Sequence, residues 1–137
     1  MLEIKKATSQ KDFFMCMEVR GLVFNDEQHV PSRIQIDQID QTCLHYLAIE
    51  DQKPLAACRA IVKKNATHLG RVCVLKEYRK SGIGKKLLNY VLNDIKGEFY
   101  LDSQVHAIPF YKSLGFEAYG PIFQEADIDH QKMKIKI

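Results

Sequence analysis

The segment Arg79-Lys80-Ser81-Gly82-Ile83-Gly84 sets two glycines among positive charges, with Lys76, Lys85 and Lys86 close by. An apolar run ending Arg71-Val72-Cys73-Val74 precedes it, and Ile83, Leu87, Leu88, Val91, Leu92 and Ile95 follow at helical spacing. A strand, turn and helix of this kind make an anion site. The first N–H groups of the helix have no intrahelical partners, glycines let a ligand approach the backbone, and the helix dipole favours negative charge. Arg79 adds a forked donor and Lys80 or Lys85 a point charge, a set suited to a pyrophosphate.

Three ligand classes could use such a turn: dinucleotides, nucleoside triphosphates and coenzyme A. A dinucleotide fingerprint needs a third glycine where this chain has Leu87, although Asp102 stands about where a ribose carboxylate would. A triphosphate loop needs GxxxxGK followed by Ser or Thr, which the chain lacks.

The elements that must position this turn follow from periodicity. Leu2 and Ile4 alternate with charge in a first strand, and Thr8 or Ser9 caps a helix carrying Phe13, Met17 and Phe24. Residues 25–42 are polar, contain Pro31 and read as a long functional loop that has room for a short helical turn. Leu44 to Glu50 and Leu55 to Lys63 are strands joined by 51–54, and 64–66 turn into a third strand. The helix after the glycine turn ends before Gly97, a suitable C′ residue. Phe99 to Leu101 is a strand, Ala107 to Leu114 a helix stopped by Gly115, and Phe116 to Tyr119 a strand; Met133, Ile135 and Ile137 mark the last. The order β-α-loop-β-β-β-α-β-α-β-β predicts an α/β fold over one domain, residues 1–137.

The segment RVCVLKEYRKSGIGKKLL resembles the acetyl-CoA motif of the GNAT superfamily of N-acyltransferases, Arg/Gln-x-x-Gly-x-Gly/Ala after a strand; Lys76 stands where many relatives have proline. LDSQVHAIPFYKSLGF resembles the second GNAT signature, with Ala107, Phe110, Tyr111, Gly115 and Phe116 in register and Gln104 in place of the commoner Asn. Arg20, Val23-Phe24, Glu27-Gln28, Val30-Pro31, Asp37 and Asp40, with Glu125, His130 and Met133 in the tail, resemble the ElaA-like branch.

The resemblance implies a mixed, mostly antiparallel sheet flanked by helices, whose two central strands splay to admit acetyl-CoA. It implies that Val72, Cys73 and Val74 hold the pantetheine arm and that Arg79, Lys80, Ser81, Gly82, Ile83, Gly84 and Lys85 hold the pyrophosphate. The same resemblance implies that Phe110 contacts the cofactor, while Gln104 either does so or closes a strand end. Tyr111 matches the catalytic tyrosine, with core packing as its other reading. Arg20, Glu27, Gln28 and His130 are acceptor-side candidates; each is otherwise a solvated or structural side chain, and His130 could pair with Glu125 to accept a proton. The implied activity is transfer of an acetyl group to a primary amine by direct attack, the acceptor being a small molecule or a protein. A non-catalytic acyl-CoA-binding or sensor domain and a nucleotide-binding regulatory module are the rival readings.

The remaining residues narrow the chemistry. Cys16, Cys43, Cys58 and Cys73 show no CxxC pair and, with His29, His45, His68 and His106, no zinc spacing, so no metal is expected. Cys73 lies near the implied thioester but reads as a buried, inert thiol. With 46% hydrophobic residues the 137-residue chain has the makings of a packed core. A net charge of +3, from 20 basic and 17 acidic residues, points to neither a nucleic-acid nor a membrane partner. No signal core or long apolar run appears, so a cytoplasmic location is expected. Oligomeric state stays open, a homodimer included.

Overall fold

The computed structural model describes residues 1–135, so Ile137, expected in the last strand, lies outside the described residues. The strands are β1 Leu2–Lys6, β2 Leu44–Glu50, β3 Lys53–Val62, β4 Ala66–Val74, β5 Glu98–Gln104, β6 Glu117–Glu125 and β7 Ile128–Ile135. They form a 7-stranded sheet in the order β1-β2-β3-β4-β5-β7-β6, parallel between β4 and β5 and antiparallel elsewhere. The α-helices are α1 Gln10–Arg20, α2 Ser32–Gln35, α3 Ile83–Asp94 and α4 Ile108–Ser113. Among the described residues no helix is long and apolar enough to cross a membrane.

Each face of the sheet has its own core. Leu87, Leu88 and Val91 of α3 pack with Tyr46, Leu55, Leu69, Phe99 and Leu101 on one face. On the other, Cys16 and Val19 of α1, with Val23 and Phe24, pack on Leu47, Ala57 and Cys73. Burial of each such leucine or valine stabilises by roughly 1.5–3 kcal/mol. The buried stripe of α1 runs through Cys16, Val19 and Arg20, while Phe13 and Met17 are only half-buried. Ser9 caps α1, its hydroxyl accepting from the Asp12 N–H at 3.1 Å.

Several expectations need correction. Residues 25–42 are not one loop: α1 runs on as a π-helical segment, Gly21–Glu27, and α2 and a 3₁₀ turn, Gln38–Gln41, follow. The Gln28 N–H donates to the Val23 carbonyl at 3.0 Å, the i→i−5 bond of a π turn. Polar residues at 25–28 hid this extension, because only Val23 and Phe24 of the segment enter the core. The C′ assignment of Gly97 also fails, since α3 ends at Asp94 with Ile95 as its cap, and Gly97 lies further along the turn into β5. Pro54 sits inside β3, opposite Ile49 at a register shift, where a missing N–H is tolerated. The last hairpin is longer than expected; its turn, Ala126-Asp127, has φ of 52° and 61° without a glycine to announce it.

The central strands part early. Pairing between β4 and β5 stops after Ala66–Glu98, Thr67–Phe99 and His68–Tyr100, although β4 continues to Val74 and β5 to Gln104. A bulge in β4 accompanies the parting: Arg71 has φ 51°, and the register with β3 shifts between Ala57 and Arg59. A bulge bends its strand and raises the local twist, which carries the end of β4 away from β5.

Candidate active site

The glycine turn sits at the open end of the split, because β4 leads into it. Lys80 and Gly82 both have left-handed φ, 62° and 86°, and α3 starts directly after them. Among the described residues no hydrogen bond engages a backbone N–H from Lys80 to Lys85. This run of free donors fits a diphosphate. The exposed Lys80 and Lys85 add charge, and the Ser81 hydroxyl donates to the Tyr78 carbonyl. Ile83, by contrast, is buried in the α3 core. At Gly84 a Cβ would lie 3.3 Å from both Phe110 and Val74, so the backbone there is fitted against those two side chains.

Arg79 does not present its fork to this turn. Its Nη1 and Nη2 donate to the two carboxylate oxygens of Glu27 at 2.6 and 2.5 Å, and its Nε donates to the Val74 carbonyl at 3.0 Å. The Arg79 hydrogen bonds and charge hold the Glu27 carboxyl below its ordinary range, which weakens Glu27 as a proton acceptor.

Tyr111 occupies the α3 face of the split. It is buried, meets Phe110 and Phe116 edge-on at centroid distances of 5.1 and 5.9 Å, and has no hydrogen-bond partner for its hydroxyl among the described residues. Burial raises its pKa, so the phenol stays protonated at neutral pH. Val72 and Val74 pack toward the same face, whereas Cys73 belongs to the α1 core. The Cys73 thiol donates to the Ala57 carbonyl at 3.7 Å, and burial pushes its pKa up to about 12. A buried thiol held protonated in this way is a poor nucleophile.

The opposite face gathers Gln28 and His130 of the acceptor-side candidates around Gln104. Phe99 and Leu101 enter the α3 core, so strand alternation turns Tyr100, Asp102 and Gln104 to the α1 side. Gln104 pairs in register with His130, and His130 with Phe123. Gln28 and Gln104 exchange side-chain amide hydrogen bonds at 2.8 and 3.1 Å. His130 Nδ1 lies 2.7 Å from the Ile128 carbonyl, which can only accept, so in the neutral ring Nδ1 is the nitrogen that carries the proton and Nε2 the one with the lone pair. Its ring stacks on Phe123 at 5.8 Å. The expected partnership with Glu125 does not form: no hydrogen bond or ion pair joins the two, and Glu125 pairs with Ile128 at the hairpin end.

Arg20, expected on the acceptor side, lies inside the protein. It is 0% exposed and bonds Asp40 through Nη1 and Nη2 at 2.8 and 3.0 Å and the Gln35 side chain through Nε at 3.1 Å. Asp40 also accepts from Arg59 at 2.9 Å, and Arg59 bonds Asp37 at 2.7 and 3.0 Å. Arg20, Asp37 and Asp40 of the N-terminal signature, with Arg59, therefore tie α1, the 32–41 segment and β3 together from inside. Asp40, Cys43 and His45 place ligand-type atoms within 4.8 Å of one another. Both Asp40 oxygens already serve guanidinium groups, whose charge opposes a cation there.

Sequence reasoning missed a pair at the apex of the split. His68 Nε2 lies 3.8 Å from Asp102 Oδ2, and its ring stacks on Tyr100 at 4.8 Å. Burial holds the His68 pKa below its ordinary value, with Asp102 acting in the opposite sense. Only the parallel register of β4 and β5 brings these residues together.

The comparisons with known proteins agree with this architecture. The family model described as Acetyltransferase (GNAT) domain matches residues 8–137. The uncharacterized N-acetyltransferase YjcF of Bacillus subtilis is 34% identical, covering 94% of each chain. The crystal structure of Escherichia coli ElaA superposes with a TM-score of 0.87 at 26% identity, over 98% of this chain and 99% of that one. An acyl-CoA N-acyltransferase structure from Pseudomonas aeruginosa gives the same TM-score, 0.87, at 25% identity and the same coverages, 98% and 99%.

Proposed function

Given that the chain belongs to the GNAT acetyltransferase family, in its ElaA-like branch, and is an N-acetyltransferase, we propose that it moves the acetyl group of acetyl-CoA directly onto a primary amine. The observation that carries this reading is the parting of β4 and β5 after the His68–Tyr100 rung. Beyond that rung the facing edges of β4 and β5 are unpaired, with Tyr111 on one face of the sheet and Gln28, Gln104 and His130 on the other. The acyl-CoA N-acyltransferase named for the Pseudomonas neighbour supports an acyl-CoA donor.

In this reading the free N–H groups of residues 80–85, with Lys80 and Lys85, hold the pyrophosphate. The pantetheine arm follows the unpaired edge of β4 at Val72, Cys73 and Val74, beside Gly84 and Phe110. The acceptor enters from the α1 face as an ammonium and loses a proton to Nε2 of His130, directly or through water. Its nitrogen bonds the thioester carbon, and the electrons of the carbon–sulfur bond leave with sulfur. The Tyr111 hydroxyl gives that sulfur a proton. Tyr111 is reprotonated from the nitrogen through solvent as the amide forms, and His130 releases its proton to water. The net products are an amide, a free thiol and one proton.

The test pairs a thermal shift with acetyl-CoA against thiol release over a panel of alkylamines, amino sugars, polyamines and peptides. Acetyl-CoA at 100-fold its Kd should stabilise the fold by about 2.7 kcal/mol. Stabilisation together with thiol release supports the proposal. Stabilisation without release from any amine favours the non-catalytic acyl-CoA-binding reading, and an unshifted melting temperature overturns both.

A further inference from the structure

Glu27 and Gln28 are consecutive residues that reach opposite sides of the split. Glu27 takes both arms of the Arg79 fork, and Arg79 in turn holds the carbonyl of Val74, the last residue of β4. Gln28 exchanges its two hydrogen bonds with Gln104, the last residue of β5. The end of the π segment thus straps together the two strand ends that the bulge drives apart.

Resting on the reading that a pyrophosphate lies on residues 80–85, we propose that Arg79 is exchanged between Glu27 and that pyrophosphate, so that cofactor binding frees the Glu27 carboxylate beside Gln28. The end-on edge of a guanidinium holds one bidentate anion at a time. Here that edge is on Glu27, while the neighbouring run of N–H donors at 80–85 has no partner among the described residues. The pair is open to solvent, with Arg79 37% and Glu27 33% exposed, so parting it costs little. A diphosphate offers Arg79 more negative charge than one carboxylate does. Lys76 and His106 also face Glu27, with weaker effect than Arg79, so the departure of Arg79 removes its principal partner. The surroundings of Gln28 then gain an unpaired negative charge, which suits an amine arriving as a cation. By reciprocity such an amine would tighten the hold on the cofactor.

Calorimetric binding of coenzyme A to four proteins tests the exchange: wild type, Glu27→Gln, Arg79→Gln and the double variant. Glu27→Gln should bind coenzyme A about two- to fivefold more tightly, the scale of an exposed ion pair no longer competing. Arg79→Gln should bind more weakly, and adding Glu27→Gln to it should bring no gain. A ¹³C titration of the Glu27 carboxyl should move up when coenzyme A is added. Unchanged or weaker binding by folded Glu27→Gln, or an unmoved titration, overturns the exchange while leaving the acetyltransfer proposal intact. No binding by wild type overturns that proposal and the exchange with it.

Discussion

Arg20 and Asp40 face each other inside the protein through two parallel hydrogen bonds, Nη1 to Oδ1 at 2.8 Å and Nη2 to Oδ2 at 3.0 Å, with side-chain exposures of 0% and 3%. A forked pair removed from water is held by geometry, and losing either member strands the other. Arg20→Ala or Asp40→Ala should therefore destabilise by about 3–5 kcal/mol, read from the urea midpoint. Arg20→Lys should recover little, because a point charge cannot serve two oxygens and the Gln35 side chain together. A loss below about 1 kcal/mol for Arg20→Ala would return Arg20 to the list of acceptor contacts.

The same network sets an acid limit. Burial alone would raise the Asp40 carboxyl, but hydrogen bonds from Arg20, the Asp37 N–H and Arg59 hold it far below its ordinary value of 3.8. Arg59 likewise lowers Asp37. A depressed acid stabilises the fold above its unfolded pKa, and that contribution is lost as pH falls toward the folded one. Stability should thus decline from pH 3.8 downward. Asp40→Asn should start less stable and show a shallower decline in denaturation midpoints taken across that range; an equally steep decline would show that other groups govern it.

Gly82→Glu should abolish stabilisation by acetyl-CoA. Gly82 has φ 86° with open space around a would-be Cβ, so the fold itself should lose only about 1–2 kcal/mol from left-handed strain. The carboxylate would stand beside the free N–H run and repel a pyrophosphate. Melting curves with and without acetyl-CoA separate these effects, and a wild-type shift in the variant would move the anion site elsewhere.

Tyr111→Phe removes a hydroxyl that has no partner among the described residues, so folding and acetyl-CoA binding should stay near wild type. Turnover should fall by about 10²-fold or more, the scale of a lost general acid. Steady-state thiol release measures it, and a rate within about twofold of wild type would leave Tyr111 a packing residue only.

His130→Ala should leave acetyl-CoA binding in place and lower kcat/KM for the amine by about 10²-fold at neutral pH. Added imidazole should restore part of the rate. Wild-type kinetics in the variant would assign proton removal to water or to another group.

The sequence by itself determined the features that depend on local conformation and short spacing. The glycine turn, α3 behind it, the placing of Tyr111 after β5 and the β2–β3–β4 meander all follow from which φ angles, caps and periodicities a few neighbouring residues allow. The partnerships of charged side chains were decided only by the tertiary structure. Arg20, Glu27 and Gln28 look alike in the sequence as polar residues near one helix end. The helix phase sends Arg20 inward to Asp40, while the π turn carries Glu27 to Arg79 and Gln28 to Gln104. His68 meets Asp102 only through strand register, and β7 lies between β5 and β6 through a hairpin without a glycine at its turn. Whether a charge is solvated, buried in a pair or held ready at a site depends on desolvation weighed against partners distant in the chain, and that balance exists only once the sheet has brought them together.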